Sequence, residues 1–236
     1  MTNKEKINSP QKTARTAAFV FALIFFLGMS TELFIRPGMI EPGDAATTIK
    51  NIAASQSLFR LSLVSDLIRQ ALLILLPLIL YRLLKPVNKT LASLMVIFAL
   101  VCAPISLLNE LNHFAVLLLS SGTDYLAAFK GEQLNALVRF FLELRQYGTF
   151  IAQFFSIWVL LLGYLVFRSG FLPKILGILL MLAGLCYTLL AVQFLLFPSF
   201  DTTIFGVFTF VAEALLYLWL LIKGVNVEKW EKLATS

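Results

Sequence analysis

The sequence predicts an all-α integral membrane protein, a bundle of six transmembrane helices with an outer-face amphipathic helix before the fourth span. Of the 236 residues, 59% are hydrophobic and only 14% are charged, whereas about a quarter of the residues of a soluble domain are charged. The apolar residues form six runs long enough to cross a hydrocarbon core of about 30 Å, which takes about 20 helical residues. Lys and Arg are unevenly divided between the connecting loops. Lipid is therefore the expected solvent for most of the surface.

The first predicted span follows a polar N-terminal tail, and long outer loops then alternate with short inner turns. In the first outer loop, Asp44 precedes a helix-forming run and is a predicted N-cap. In the second inner turn, Gly170 permits the turn and Pro173 suits the first turn of the next helix. The predicted spans are residues 16–35, 61–84, 91–118, 147–167, 172–197 and 204–222.

The outer loop before the fourth span, residues 125–146, has apolar residues at helical spacing with charged residues between them. This pattern is typical of an amphipathic helix that lies on the membrane surface. Gly148 is the predicted point at which the chain turns into the fourth span. The alternative is one long, bent helix over residues 134–167.

The distribution of charge predicts the orientation of the spans. Twelve of the 19 Lys and Arg residues, but only three of the 13 acids, fall on the side that holds both chain ends. By the positive-inside rule this side is cytoplasmic. The predicted organisation is a cytoplasmic tail over 1–15, a transmembrane domain over 16–224 and a cytoplasmic tail over 225–236. A cleaved signal peptide is the alternative for the N-terminus, but the apolar run continues to Ile35 without a small-residue cleavage site directly after it.

Several functional classes have no support in the sequence. The net charge of +6 comes from single basic residues at the ends of apolar runs, so we expect no nucleic-acid binding. Cys102 and Cys186 lie inside apolar runs and are expected to be buried free thiols rather than a disulfide or a zinc site. Phosphate-binding glycine loops, nucleophile elbows and paired zinc histidines are missing. Gly177 and Gly184, with Ala183, are expected to be helix-packing positions. We therefore expect no cofactor, and an enzyme is the less favoured class.

Ionisable residues within the predicted spans lie in their outer halves. Counted from the inner basic residue of each helix at about 1.5 Å per residue, they stand from ~15 Å (Glu213) to ~31 Å (Glu110) into the membrane. Such residues usually face the bundle interior or a water-filled cavity. The sequence therefore predicts an outward-facing polar pocket, and its candidate residues are Glu32, Asp66, Arg69, Glu110 and Glu213.

Arg69 is expected to pair with Glu213 or Glu32, because an unpaired charge at that depth costs several kcal/mol. An architectural interpretation stays open beside the functional one. Buried ion pairs and side-chain hydrogen bonds also fix helix register without performing any chemistry. The same residues are therefore candidates for a ligand pocket and for a purely structural role.

Glu110 and His113 form the sharpest chemical motif, because a spacing of three residues places both side chains on one face of a helix. The spacing also occurs in di-iron carboxylate bundles, but those need a second copy and this chain has one histidine. A mononuclear metal site with a further acid such as Asp66 is one alternative. His113 as a proton-sensitive group is another.

Several segments spread over nearly the whole chain form one pattern, namely PGDAAT (42–47), NI (51–52), LFR (58–60), LYRLLKPVN (80–88), GYLVFRSGFLP (163–173) and WLLIKG (219–224), with Glu213. This pattern resembles a bacterial membrane protein family, the domain of unknown function 4386. The resemblance implies a multi-pass protein of the bacterial cytoplasmic (inner) membrane and no assigned activity. It adds no catalytic residue, although Asp44, Arg60 and Glu213 lie in its segments.

The leading functional hypothesis is a non-enzymatic membrane protein, either a small-solute transporter or a sensing module, with a pocket open to the outer face. Its expected partners are the lipid bilayer and a small-molecule or lipid ligand. The alternatives are an intramembrane metal-dependent enzyme around Glu110 and His113, and a structural or partner-binding helix bundle. Oligomeric state is left open by the sequence.

Overall fold

A computed structural model of the chain describes residues 9–197 and 203–235. Within these ranges the secondary structure is helical and contains no strand. A π-helical turn (Ser30–Ile35) and 3-10 turns at Arg36–Gly38 and Asp124–Ala128 lie between the α-helices. The α-helices are α1 (Ser9–Met29), α2 (Ala45–Ala54), α3 (Gln56–Leu84), α4 (Lys89–Leu119), α5 (Gly131–Phe154), α6 (Ile157–Ser169), α7 (Lys174–Leu196), α8 (Thr203–Ile222) and α9 (Val227–Thr235).

Six helical segments of the described residues are long and apolar enough to cross a membrane, which confirms the predicted fold class. They are Pro10–Gly38, Gln56–Leu84, Lys89–Leu119, Gly131–Ser169, Lys174–Leu196 and Ile204–Ile222. α1 and α3 begin earlier than the first two predicted spans, at Ser9 and Gln56. The reason is that a helix can continue through polar residues, whereas a hydropathy pattern ends at them. Part of the predicted N-terminal tail is therefore helical, and residues 1–8 lie outside the described residues.

The amphipathic segment and the fourth span differ in one detail from the expectation. α5 continues through Gly148 without a break, and the interruption comes at Phe155 and Ser156 before α6 begins. The predicted turn at Gly148 is therefore wrong. The glycine instead lies directly against the Asn109 side chain, and a Cβ at that position would overlap the amide. This glycine therefore permits the close approach of two helices and does not form a turn.

The chain divides into two compact units. The first unit is Met1–Ala22, Leu72–Ala103 and Phe150–Ser236, and the second is Leu23–Ala71 and Pro104–Thr149. The first unit therefore contains α6, α7, α8 and α9, and the second contains α2. α1, α3, α4 and α5 each contribute residues to both.

In the first unit, α6 and α7 pack with their backbones in close approach. A Cβ on Gly177 would lie 2.7 Å from the carbonyl oxygen of Gly163, and one on Gly184 would overlap the backbone of Leu160. Between these glycines, Leu180 and Ala183 are fully buried. Small residues allow such close packing in membrane helices. The sequence-based assignment of Gly177, Ala183 and Gly184 to helix packing is thereby confirmed.

Polar contacts bind the C-terminal residues of the first unit to its helices. The Gln11 side chain accepts from the backbone N–H of Val225 at 3.0 Å, next to Gly224, whose φ of +69° ends the preceding helix. The Trp230 indole N–H donates to the carbonyl of Leu83 at 2.8 Å. The backbone N–H of Asn226 donates to the carbonyl of Phe171 at 3.2 Å.

The second unit has an apolar core around α2 and the adjoining part of α3. Asp44 caps α2 as predicted, because its carboxylate accepts from the backbone N–H of Thr47 at 3.0 Å. This cap and the burial of Ile52 hold α2 against the unit. The buried core residues are Met39, Ile52, Phe59, Leu63, Val116, Leu117 and Val138.

Candidate functional site

The candidate site begins where α1 ends in a π-helical turn. Thr31 is fully buried in this turn, and its hydroxyl donates to the carbonyl of Gly28 at 3.0 Å. Single π-turns are frequent at functional sites. Glu32 and Arg36 follow on one face, and their side chains form an ion pair. Arg36 is buried, whereas the Glu32 side chain is 50% exposed.

Asp66 of α3 lies at the centre of the site. Its residue is fully buried, and its carboxylate accepts from the guanidinium of Arg36. The guanidinium of Arg69, three residues later, lies 3.4 Å from the other carboxylate oxygen. Asp66 thus holds two guanidinium groups, one on each oxygen, which compensates its burial.

Glu110 and His113 of α4 complete the buried part of the site. His113 Nδ1 lies 3.2 Å from the Glu110 carboxylate and also 3.2 Å from the guanidinium of Arg36. A guanidinium only donates, so it needs a bare Nδ1, whereas an ionised carboxylate needs a protonated one. Nδ1 of His113 therefore satisfies one neighbour at a time, and the site has two hydrogen-bonding arrangements.

α5 supplies a third arginine. Arg145 lies 3.3 Å from Glu32 and 3.8 Å from Glu110. α5 is fixed against α4 because the Asn109 side chain donates to the backbone carbonyl of Arg145 at 2.9 Å and to the Thr149 hydroxyl at 3.2 Å. The set of Glu32, Arg36, Asp66, Arg69, Glu110, His113 and Arg145 is called the charged network below.

The charged network is balanced in charge but has unpaired donors. It contains three arginines and three acids. The buried Nε–H groups of Arg36, Arg69 and Arg145 have no hydrogen-bond acceptor among the described residues. A buried donor without an acceptor costs about 1–3 kcal/mol. The network can therefore donate hydrogen bonds to further oxygen atoms, and its own net charge stays zero.

The metal alternative is supported by one distance. Asp66, Glu110 and His113 each offer a ligand atom, and these atoms lie within 4.8 Å of one another. Bonds of about 2.0–2.2 Å to one ion allow ligand atoms up to about 4.4 Å apart. The donor set therefore suits a first-row divalent ion after a small contraction. The guanidinium of Arg36, however, contacts both Asp66 and His113, so an ion fits only where that group has moved away.

Four of the five predicted pocket residues, namely Glu32, Asp66, Arg69 and Glu110, come together in the charged network. The prediction that Arg69 pairs with Glu213 or Glu32 was wrong, because Arg69 pairs with Asp66. Glu213 belongs to the first unit, where its carboxylate accepts from the Tyr187 hydroxyl at 2.8 Å.

Arg36 and Arg145 were missed as site residues, since both lie just outside the predicted spans. The spacing of Glu32 and Arg36, four residues apart, was a usable signal for the first pair. Arg145 lies seven residues, about two turns, after buried Val138 and so shares its face. Only knowledge of which face is buried could have revealed it.

The comparisons with known proteins identify the family. The model of the family described as Domain of unknown function (DUF4386) matches residues 16–224. The chain belongs to this family. An uncharacterized protein of Archaeoglobus fulgidus is similar to this DUF4386 protein, with 34% identity over 145 residues that cover 61% of this chain and 72% of the relative. No solved structure matches the chain. The resemblance to the DUF4386 family is thus confirmed, as is a multi-pass membrane protein of unknown function.

Proposed function

We propose that this protein is a solute-binding membrane protein, a small transporter or a sensing module, whose charged network binds a zwitterionic solute that carries a carboxylate. The observation that carries the proposal is the group of three buried Nε–H donors without acceptors on Arg36, Arg69 and Arg145. A carboxylate supplies acceptor oxygens in the geometry that guanidinium groups prefer. Water satisfies the same donors between binding events.

The balance of charge selects the class of solute. The network already has as many acids as arginines, so a free anion or a free cation would leave an uncompensated charge at a buried site. A zwitterion adds none. Its carboxylate would take the arginine donors and its ammonium group would approach Glu32, the half-exposed member of the network.

Transport and sensing both require a site with two states. The two hydrogen-bonding arrangements of His113 would provide these states. Its Nδ1 either accepts from Arg36 or donates to Glu110. A solute that occupies the donors of Arg36 would therefore favour the tautomer in which Nδ1 is protonated and donates to Glu110. Differential contacts of this kind are what allow a ligand to shift a conformational equilibrium. The protein would lie in a bacterial-type cytoplasmic membrane with both termini inside and Glu32 toward the outer face.

A solute panel tests the binding proposal. Thermal unfolding of the purified protein in mild detergent is measured with neutral amino acids and, as controls, with the matching carboxylic acids and amines. At about 100 times Kd a bound zwitterion stabilises by about 2.7 kcal/mol, and the matching acid and amine do not. Arg145→Met removes the shift. Arg139→Met is the matched control, because Arg139 lies on the same helix and is exposed.

Absence of a shift with every zwitterion, together with unchanged behaviour of Arg145→Met, would leave the network with a structural role alone. A shift produced equally by the carboxylic acids would contradict the argument from charge balance.

Thiol labelling tests access and orientation. Cys102 and Cys186 are the two cysteines of the chain and are free, so both are first replaced by Ala. Glu32→Cys should then react with a charged, membrane-impermeant thiol reagent applied to intact cells. Asp66→Cys should react more slowly, because position 66 is fully buried. Labelling of Glu32→Cys only in inverted vesicles would overturn the orientation.

The second candidate is a metal-dependent enzyme around Glu110 and His113, favoured by the 4.8 Å grouping of Asp66, Glu110 and His113. Charge disfavours it, because a divalent ion would bring two positive charges into a balanced network. Metal analysis of protein purified without chelators decides between the two. A stoichiometric metal that His113→Ala removes supports the enzyme, and a metal-free wild type removes this candidate.

A further inference from the structure

Glu213 lies within α8, in a membrane-spanning segment of the first unit. Its carboxylate accepts from the hydroxyl of Tyr187 on α7 at 2.8 Å. No lysine, arginine or histidine among the described residues forms an ion pair with it, in contrast to the acids of the charged network. A carboxylate in a membrane needs a neutralising partner. An acid within a membrane-spanning segment is therefore a candidate functional residue.

Two further hydroxyl groups lie on the same face of α8. Thr209 and Tyr217 are four residues before and four residues after Glu213, and both are buried. The Tyr217 hydroxyl has no hydrogen-bond partner among the described residues. Its ring is held in place by Phe21, which stacks on it with ring centroids 3.6 Å apart. The Thr209 hydroxyl donates to the carbonyl of Gly206 at 2.9 Å.

The donor set of this face determines what it can bind. It offers a carboxylate and three hydroxyl oxygens and, in the groups described above, no nitrogen or sulfur ligand. Oxygen donors suit hard cations, whereas transition metals favour sites with imidazole or thiolate. A single carboxylate balances a single positive charge. Sodium sites of membrane transporters likewise use oxygen ligands near the bilayer midplane.

From these observations we propose that Glu213, Tyr187, Tyr217 and Thr209 form a binding site for a monovalent alkali cation, Na⁺ in the first instance. The unpartnered hydroxyl of Tyr217 becomes a ligand, and the hydroxyl of Tyr187 orients the carboxylate. The proposal does not depend on solute binding at the charged network, because none of its residues belongs to that network.

Sodium titration of the full-length protein tests the site. Thermal unfolding in mild detergent is followed as NaCl replaces choline chloride at constant ionic strength. We expect the unfolding midpoint to rise with NaCl and then to saturate, as binding to the folded state requires. Tyr217→Phe should move half-saturation to about tenfold higher NaCl, since it removes one ligand atom. Tyr164→Phe is the matched control, because Tyr164 is exposed and in the same unit.

Glu213→Gln should abolish the sodium dependence, and Tyr217→Phe decides the matter where that variant does not fold. A wild type without sodium dependence overturns the proposal. So does a sodium dependence that Tyr217→Phe and Glu213→Gln both retain. A midpoint that responds to pH but not to sodium, with the pH response lost only in Glu213→Gln, assigns a proton to the carboxyl and also overturns the sodium site.

Discussion

In the first unit, α6 and α7 pack with their backbones in contact at glycine residues, whereas in the second unit charged side chains connect the helices. The two arrangements respond to opposite changes. Close backbone packing is disturbed by added atoms. A buried charged network is disturbed by a removed charge, because the partner is left buried and unpaired. The predictions below start from this difference and run from the largest expected effect to the smallest.

Asp66→Asn should produce the largest loss of stability. Asp66 is fully buried and holds the guanidinium groups of both Arg36 and Arg69. Removal of one partner of a buried ion pair costs about 3–5 kcal/mol. The free energy of unfolding, measured by denaturant titration in mixed micelles, should fall by that amount. Glu143→Gln is the control and should change little, because Glu143 and its partner Arg139 are exposed.

The double variant Asp66→Asn with Arg36→Gln separates a network effect from a local one. Removal of both charges restores part of the lost stability, with a coupling free energy of about 0.5–3 kcal/mol. Additive losses in this cycle would mean that Asp66 and Arg36 are energetically independent, and the comparison between the two units would then fail for the second unit.

Gly177→Ala tests the first unit by adding a single carbon. The new Cβ would lie 2.7 Å from the carbonyl oxygen of Gly163 and 2.7 Å from the Cα of Phe167, both backbone atoms that cannot turn aside. A loss of about 1–3 kcal/mol in the free energy of unfolding is expected. The same measurement on Gly206→Ala should show no loss, or a gain of about 0.5–1 kcal/mol, since that Cβ meets nothing within 4 Å. Equal effects at both glycines would show that α6 and α7 are not closely packed.

The sequence predicted the first unit better than the second, for a physical reason. Hydropathy and glycine placement are local properties, and they were sufficient for the six spans and for the packing role of Gly177 and Gly184. Ion pairing is not local. Arg69 pairs with Asp66, whereas Glu32 pairs with Arg36 and Arg145. That choice depends on where separate helices bring their side chains.

Gly148 illustrates the same limit at a single position. A glycine before an apolar run usually marks a turn, and the alternative of one long, bent helix did not indicate what Gly148 contacts. In the structure its missing side chain admits the Asn109 amide, which in turn fixes the helix that carries Arg145. One glycine thus contributes to the candidate site through a contact with a residue far away in the sequence.

The smallest expected effect concerns Asp44, an exposed acid of the second unit that lies outside the charged network. Its carboxylate accepts from the backbone N–H and the hydroxyl of Thr47, at 3.0 and 2.6 Å, and so caps α2. Asp44→Asn keeps a capping oxygen and should be milder than Asp44→Ala. Helix content and the midpoint of thermal unfolding of both variants measure the difference. Equal effects would mean that the charge, and not the cap, matters at this position.

The pH dependence of stability is an independent test of the Asp44 cap. Hydrogen bonds from Thr47 hold the pKa of Asp44 below its ordinary value of 3.8. A carboxyl whose pKa is lowered by folding contributes stability above its unfolded pKa and loses it as the pH falls through the folded value. The stability difference between wild type and Asp44→Asn should therefore shrink as the pH falls below about 4. A difference that stays constant as the pH falls through that range would show that the carboxylate of Asp44 accepts no capping hydrogen bonds.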